Sequence, residues 1–144
     1  MADKILVVDD ELEIRDLLSK FLTEEGYEVI VASNGEEAIK LAERENPQVI
    51  LLDIMMPGMD GIETCKRLKA EEKTRFIPVI IATVLWDTYV EAIEAGAEDF
   101  VTKPFHLAEL SFRVQSIRRV RYLTNELERS VAYIRELGKN LPKP

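Results

Sequence analysis

The stretch Val49-Ile50-Leu51-Leu52-Asp53 decides the fold, and it ends in a carboxylate. Four consecutive aliphatic residues indicate a strand that is buried on both faces. Residues 54–61 (IMMPGMDG) follow, and their Pro-Gly and Asp-Gly pairs predict an immediate turn. Because burying an unpaired carboxylate is costly, a carboxylate at the tip of such a strand is rarely placed there without use. Asp53 is therefore the residue to explain.

The rest of the chain repeats this pattern of apolar strands followed by amphipathic segments. Strands are predicted at residues 5–8, 28–32, 49–53, 78–83 and 99–102. Helical spacing of apolar residues separates them, and a long helical stretch is predicted from about Leu107 to the last few residues. Buried strands that alternate with helices form a parallel sheet with helices on both faces. We therefore predict an α/β doubly wound three-layer sandwich with five helices, the last one extended.

Two helix starts carry capping signals. Ser33 is followed three residues later by Glu36, which is a capping-box pattern. Asp60, followed by Gly61, is expected to cap the third helix.

The composition is that of an ordinary globular domain. The chain has 144 residues, of which 47% are hydrophobic and 32% charged, and its net charge of −8 argues against a general nucleic-acid binder. It has no run of about 18 apolar residues for a membrane span, and because residues 1–4 contain no signal-peptide h-region we expect no signal peptide. Cys65 is the only cysteine and His106 the only histidine, so neither a disulfide framework nor a His/Cys metal set exists. We expect a cytoplasmic protein that binds neither membranes nor nucleic acid directly.

Polar side chains stand at the carboxyl ends of four of the predicted strands: Asp9, Asp10, Asp53, Thr83 and Lys103. In a doubly wound sheet these ends meet at one rim, where ligands bind. Carboxylates at this density repel each other unless a cation joins them, and oxygen ligands select Mg²⁺ or a similar ion. Such an ion typically also takes phosphoryl oxygens, which a lysine and a threonine can help to hold. Asp53 is then the candidate nucleophile, since carboxylates form aspartyl phosphates.

Each of these residues taken singly has a simpler interpretation. Asp9 and Asp10 could begin a helix, Asp53 and Thr83 could be turn and strand-end residues, and Lys103 could be a solvated surface lysine. The shared position at strand ends favours the functional interpretation.

The motifs around these residues resemble the receiver domain of bacterial two-component response regulators. The resemblance rests on residues 7–10 (VVDD), residues 51–61 (LLDIMMPGMDG), Thr83 and residues 103–105 (KPF), in that order along the chain. It covers about residues 3–120. It implies a flavodoxin-like fold with strand order 2-1-3-4-5. We assign residues 1–120 to a receiver domain, and residues 121–144, where the apolar pattern changes period, to a C-terminal helical extension.

The resemblance also implies roles for the acidic residues. Asp53 would accept a phosphoryl group from the phosphohistidine of a histidine kinase or phosphotransfer protein. Asp10 and Asp53 would bind Mg²⁺, which Mn²⁺ could replace, together with the backbone carbonyl of Met55. Asp9 would bind the ion largely through water.

The remaining implied roles concern the switch. Thr83 and Lys103 would bind the phosphoryl oxygens, and Phe100 would turn inward when Thr83 moves. The bond between Lys103 and Pro104 is expected to be cis. The surface formed by the fourth helix, fifth strand and fifth helix would change and alter dimerisation. Val84 stands where the family usually has a small residue, which would narrow the access to Asp53.

The C-terminal extension shows a seven-residue repeat. One position of the repeat holds Val120, Leu127, Ile134 and Leu141, and the matching position holds Leu123 and Leu137, with Ser130 interrupting. We predict a helix that dimerises as a coiled coil and links to an output domain absent from this sequence. The alternative is a helix that packs back on the domain.

Other functions remain open at this stage. A phosphatase of the haloacid dehalogenase type would need a second acid where Met55 stands, and a flavodoxin-like nucleotide binder would need a phosphate loop after the first strand. A receiver fold that only dimerises, independently of phosphorylation, is the alternative we keep. The leading interpretation is a signalling phosphoacceptor that is not an enzyme in the usual sense, since it catalyses only its own phosphorylation and dephosphorylation.

Overall fold

The computed structural model describes residues 3–84, 86–120 and 126–139. Its centre is a sheet of five parallel strands in the order β2-β1-β3-β4-β5, which confirms the predicted strand order. The strands are β1 (Lys4–Val8), β2 (Glu28–Ala32), β3 (Val49–Asp53), β4 (Val79–Thr83) and β5 (Asp99–Thr102). The predicted bounds agree to within one residue.

Helices follow the strands along the chain. They are α1 (Leu12–Glu24), α2 (Gly35–Glu45), α3 (Gly61–Ala70), α4 (Tyr89–Glu94), α5 (Leu107–Val120) and α6 (Glu126–Lys139), with a 3₁₀ turn at Trp86–Thr88. None of these described helices is long and apolar enough to cross a membrane.

The core has two halves, one on each face of the sheet. Along β1, Ile5 and Val7 contribute to the cluster that also contains residues of α1 and α5, whereas Leu6 and Val8 contribute to the cluster with α2 and α3. Successive side chains of a strand point to opposite faces, so an apolar run serves both clusters. This is why the central strands β1, β3 and β4 are apolar along most of their length.

The two predicted caps have different outcomes. Asp60 caps α3, because its Oδ1 accepts a hydrogen bond of 2.9 Å from the amide of Glu63. The cap of α2 is Asn34, whose side chain accepts from the amide of Glu37 at 2.9 Å, while the Glu37 carboxylate accepts from the amide of Ser33. The predicted capping box is therefore displaced by one residue.

The prediction of five helices with an extended last helix is wrong for the described residues. Helix α5 ends at Val120, and α6 is a separate helix that contacts α5 again. Tyr133 of α6 is buried in the cluster that contains Ile117 and Val120. A short solitary helix is marginal in water, so packing this aromatic face on the domain stabilises α6 better than extension into solvent.

The predicted heptad seam is also divided. Leu127 and Ile134 are exposed, whereas Leu137 packs against the core and Val120 is buried in α5. The predicted seam residues Leu123 and Leu141 lie outside the described residues.

Candidate functional site

Three carboxylates meet at the carboxyl edge of the sheet. Asp9 and Asp10 follow β1 directly, and Asp53 is the last residue of β3, the strand beside it. One carboxylate oxygen from each lies within 4.8 Å of the others. Asp9 and Asp53 are only 2% and 5% exposed, whereas Asp10 is exposed to solvent. The parallel sheet thus brings together the acidic residues that the sequence singled out.

Lys103 supplies the opposing charge. Its Nζ lies 2.6 Å from Asp9 Oδ2 and 3.4 Å from Asp53 Oδ1, so one ammonium bridges two carboxylates. Its backbone amide donates a 2.9 Å hydrogen bond to the carbonyl of Thr83, which ties the end of β5 to the end of β4. The Lys103–Pro104 peptide bond is cis.

The electrostatics follow from burial and from this pairing. Burial raises the pKa of Asp53 to about 6; the charge of Lys103 opposes this rise and the charge of Asp9 adds to it. Burial alone would lower the pKa of Lys103, but its hydrogen bond to Asp9 and the charge of Asp53 outweigh burial and raise it. A further cation placed beside Asp53 would therefore stabilise its ionised carboxylate.

Backbone contacts hold Asp9 in position. Its Oδ1 accepts a 2.9 Å hydrogen bond from the amide of Glu11, and its carbonyl accepts one of 2.8 Å from the guanidinium of Arg15. Both carboxylate oxygens of Asp9 are thus engaged, one by Glu11 and the other by Lys103. Sequence reasoning missed this direct pairing, because it assigned Lys103 to phosphoryl oxygens alone.

Gly61 is a positioning residue that sequence reasoning treated only as part of a turn. A Cβ at this position would lie 2.0 Å from the carbonyl oxygen of Asp53 and 2.7 Å from Cα of Ile54. The Gly61 amide donates a 2.8 Å hydrogen bond to the carbonyl of Ile54. Any side chain here would displace the backbone of Asp53, so glycine is required for close approach. The Asp-Gly pair was a visible signal, but it indicated a turn and not this contact.

Both proposed switch residues, Thr83 and Phe100, are buried. Thr83 is fully buried at the end of β4. The ring of Phe100 meets that of Tyr89 of α4 edge to face, at 5.5 Å between centroids. Val84, the residue that departs from the family pattern, is exposed.

The structure also places Cys65 and Met55. Cys65 is buried in α3, where its thiol donates to the carbonyl of Ala95, and burial raises its pKa to about 12. Met55 has an exposed side chain, so a contribution to metal binding would come from its backbone.

The acidic residues fit a hard divalent cation. Three carboxylate oxygens from two adjacent strand ends converge without any nitrogen or sulfur donor in the group that the described residues form, which matches the preference of Mg²⁺ for oxygen. The two buried carboxylates share a single ammonium, so negative charge is in excess. The chemistry of the donor set therefore favours a divalent cation beside Asp10 and Asp53.

Comparison with known families assigns the chain. Residues 5–115 match the family model described as the response regulator receiver domain. The chain belongs to that family. The receiver fold is also present in solved structures: chemotaxis protein CheY4 of Vibrio cholerae is 32% identical with a TM-score of 0.76, over 80% of this chain and 98% of that one.

Two further relatives bear on this receiver domain. Response regulator PleD of Caulobacter vibrioides is 44% identical over 96% of this chain, which corresponds to 31% of PleD. The receiver domain of sensor histidine kinase PA1611 from Pseudomonas aeruginosa is 31% identical with a TM-score of 0.74, covering 80% of this chain and 96% of that one, and its structure has a magnesium ion in the active site cleft. The chain spans between 31% and 51% of the length of the first curated relatives that it matches.

Proposed function

We propose that this receiver domain accepts a phosphoryl group on Asp53 from the phosphohistidine of a histidine kinase or phosphotransfer protein. The observation that carries the proposal is the buried Asp53 carboxylate, with Lys103 Nζ at 3.4 Å and oxygens of Asp9 and Asp10 within 4.8 Å. A buried carboxylate with excess negative charge beside it is suited to bind a divalent cation and, with that cation, to accept a phosphoryl group.

In the proposed reaction, a carboxylate oxygen of Asp53 attacks the phosphorus atom. A new O–P bond forms as the P–N bond to the donor imidazole breaks, and the imidazole nitrogen keeps the electron pair and takes up a proton. Lys103 is placed to offset the charge on the phosphoryl oxygens, and the Thr83 hydroxyl is proposed to bind one of them. Mg²⁺, held by Asp10, Asp53 and the Met55 carbonyl with Asp9 acting largely through water, would supply further charge neutralisation.

The surroundings of the site support a protein donor. The exposed apolar side chains Leu12, Met55 and Val84 each stand within two residues of an acidic or hydroxyl residue of the site. Apolar residues around a polar centre are suited to contact a partner helix. We propose that the partner acts in the cytoplasm and that each chain is modified once, without multiple turnover of a substrate.

The proposed output is a change in the surface formed by α4, β5 and α5. Phe100 of β5 contacts Tyr89 of α4, so a movement of Thr83 that alters the Phe100 position would be felt by α4. This surface is proposed to control self-association of the domain. The alternative, self-association that is independent of phosphorylation, is favoured by the exposed apolar residues of α6.

The test is phosphorylation by a small phosphodonor. We expect acetyl phosphate with Mg²⁺ to add one phosphoryl group per chain, measured by intact mass, and chelation of Mg²⁺ to prevent the addition. Asp53→Asn should remove the uptake. Asp16→Asn, which changes an exposed acid on α1, is the matched control and should leave it unchanged.

Uptake by Asp53→Asn at the rate of the parent chain would refute the assignment. Release of many equivalents of phosphate from a phosphoester by each chain would instead indicate a phosphatase.

A further inference from the structure

Helix α6 is seated on the domain through one face. The hydroxyl of its Tyr133 donates a hydrogen bond to the carboxylate of Asp99 in β5, and the Tyr133 side chain is buried. Arg129 is only 6% exposed, and its guanidinium lies 3.8 Å from the carboxylate of Glu98. This inner face covers part of the surface formed by α4, β5 and α5.

The opposite face of α6 is apolar and exposed. Leu127, Val131 and Ile134 are 74%, 40% and 67% exposed, and they are spaced i, i+4 and i+7. On a helix this spacing forms a single narrow stripe, which Gly138 continues at i+11. Alternating steps of four and three residues are those of the seam between two paired helices.

The stripe continues onto the domain. A cleft of about 380 Å³ between α4 and α6 is lined by Ile93 on one side and Ile134 on the other. Ile93 is 45% exposed, and Val90, one turn earlier on α4, is 61% exposed. Together Val90, Ile93, Leu127, Val131 and Ile134 form what we call the α4–α6 patch. Exposed apolar residues grouped in this way are typical of an interaction site.

We propose that the α4–α6 patch binds a second copy of this chain, with the two α6 helices antiparallel and crossing at Val131. In that arrangement Val131 faces its equivalent, and Leu127 faces Ile134 of the second copy. The α6 part of the α4–α6 patch is thus self-complementary about a twofold axis, which is what an isologous interface requires.

Charge complementarity selects the second copy and the antiparallel direction. Glu128 and Arg135 are both exposed, and each follows a stripe residue by one position, so they lie on the same flank of the stripe. An antiparallel pair brings this flank of each helix against the same flank of the other. Glu128 then lies opposite Arg135 of the second copy, twice by symmetry. In a parallel pair this flank would face the side of Ser130, and no such ion pair would form.

This dimer rests on the self-association in the proposed function and specifies where the two copies meet. The contact lies on the outside of α6 and not on the surface of α4, β5 and α5, part of which α6 covers. The proposal concerns the chain without phosphoryl donor. Its failure would therefore leave the phosphorylation of Asp53 untouched, and the two can be judged separately.

The decisive experiment is a charge exchange, measured by sedimentation equilibrium on the full chain at low ionic strength. Glu128→Arg alone and Arg135→Glu alone each create two like-charge contacts, so we expect self-association to weaken roughly tenfold. An equal mixture of the two variants should associate as the parent chain does, because the heterodimer contains only opposite-charge contacts. The double variant Glu128→Arg/Arg135→Glu should also recover self-association.

An apolar substitution gives the matched control. Ile134→Ser should weaken self-association, whereas Leu17→Ser, which makes a similar change at an exposed leucine of α1, should not. A parent chain that stays monomeric throughout the concentration series overturns the proposal. So does a mixture of the two charge variants that associates no better than either alone.

Discussion

Asp53→Asn is expected to stabilise the metal-free protein at neutral pH, although it removes the proposed phosphoryl acceptor. Burial is the main reason that the pKa of Asp53 rises from 3.8 to about 6 in the folded state. At about 1.4 kcal/mol for each pKa unit, ionising this buried carboxylate costs up to about 3 kcal/mol of folding free energy. Asparagine has nearly the same shape and no charge, but its amide must also be buried, so we expect a gain of about 2 kcal/mol.

The pH dependence tests the origin of this gain. A raised carboxyl pKa means that the folded state binds the proton more tightly than the unfolded state does. The folding free energy that is lost by ionising Asp53 is therefore zero below its unfolded pKa of 3.8. The loss grows as the pH rises toward about 6 and is complete above that value. The difference between parent and Asp53→Asn should follow the same course.

The assay is urea or thermal unfolding of both proteins in chelator, at about pH 7.5 and at about pH 4. A gain of about 2 kcal/mol corresponds to a rise in Tm of roughly 5 to 10 °C for a domain of this size. Adding Mg²⁺ at neutral pH should stabilise the parent and not the variant, so that the difference shrinks. Asp16→Asn, at an exposed position, should change stability by less than about 0.5 kcal/mol under either condition.

The reasoning would be refuted if Asp53→Asn were less stable than the parent at neutral pH without metal. A difference of the same size at both pH values would also refute it, because a packing effect and not the carboxylate charge would then be responsible.

Three other predictions concern the scaffold. Gly61→Ala should destabilise the fold by about 3 kcal/mol or more in urea unfolding, since the new Cβ would clash with the backbone. Gly138→Ala, where a Cβ would meet open space, should instead stabilise α6 by about 0.5–1 kcal/mol. Equal effects of the two substitutions would contradict the contact between Gly61 and the backbone of Asp53. Tyr133→Phe should lower the free energy of unfolding by about 1–2 kcal/mol in the same assay, because the Asp99 carboxylate loses one hydrogen bond. An unchanged unfolding midpoint would argue that α6 does not pack on β5. Burial that raises the pKa of Cys65 to about 12 predicts slow labelling by a thiol reagent at about pH 8 until urea unfolds the chain; rapid labelling of the folded protein would contradict its burial.

The strands and the convergence of the three carboxylates could be predicted because each depends on a pattern local to the chain, whereas the strand order was implied by the resemblance to receiver domains. An apolar run such as Val49–Asp53 indicates a strand buried on both faces, and parallel topology then places every strand end at one edge. What could not be predicted is the pairing within that edge. Asp9, Asp10 and Asp53 stand at equivalent places in sequence, yet Lys103 lies closest to Asp9, which backbone contacts hold in position. The preference of Lys103 for Asp9 is a difference of less than 1 Å between two distances. The spacing of residues along the sequence does not determine such a difference.

Gly61 illustrates a second limit. Its pairing with Asp60 was visible and correctly predicted a turn and a helix cap. The contact that excludes a side chain, however, is with the carbonyl of Asp53, the residue before the turn, and it exists only because the loop returns on itself. A local signal can identify a turn residue, but the reason that it must be glycine lies in the path of the loop.

The C-terminal helix shows what a count of heptad residues alone leaves out. A count of aliphatic residues includes Leu127 and Ile134, which lie on the exposed side of α6. It leaves out Arg129 and Tyr133, which pack the other side of α6 against the domain. An arginine and a tyrosine bury large apolar areas while their polar ends reach Glu98 and Asp99, so a pattern of aliphatic residues alone undercounts the face that they form. The helix therefore has two contact faces, and the mixed one binds within the chain. The aliphatic one is exposed at Leu127 and Ile134, and it is the face that we propose for association between chains.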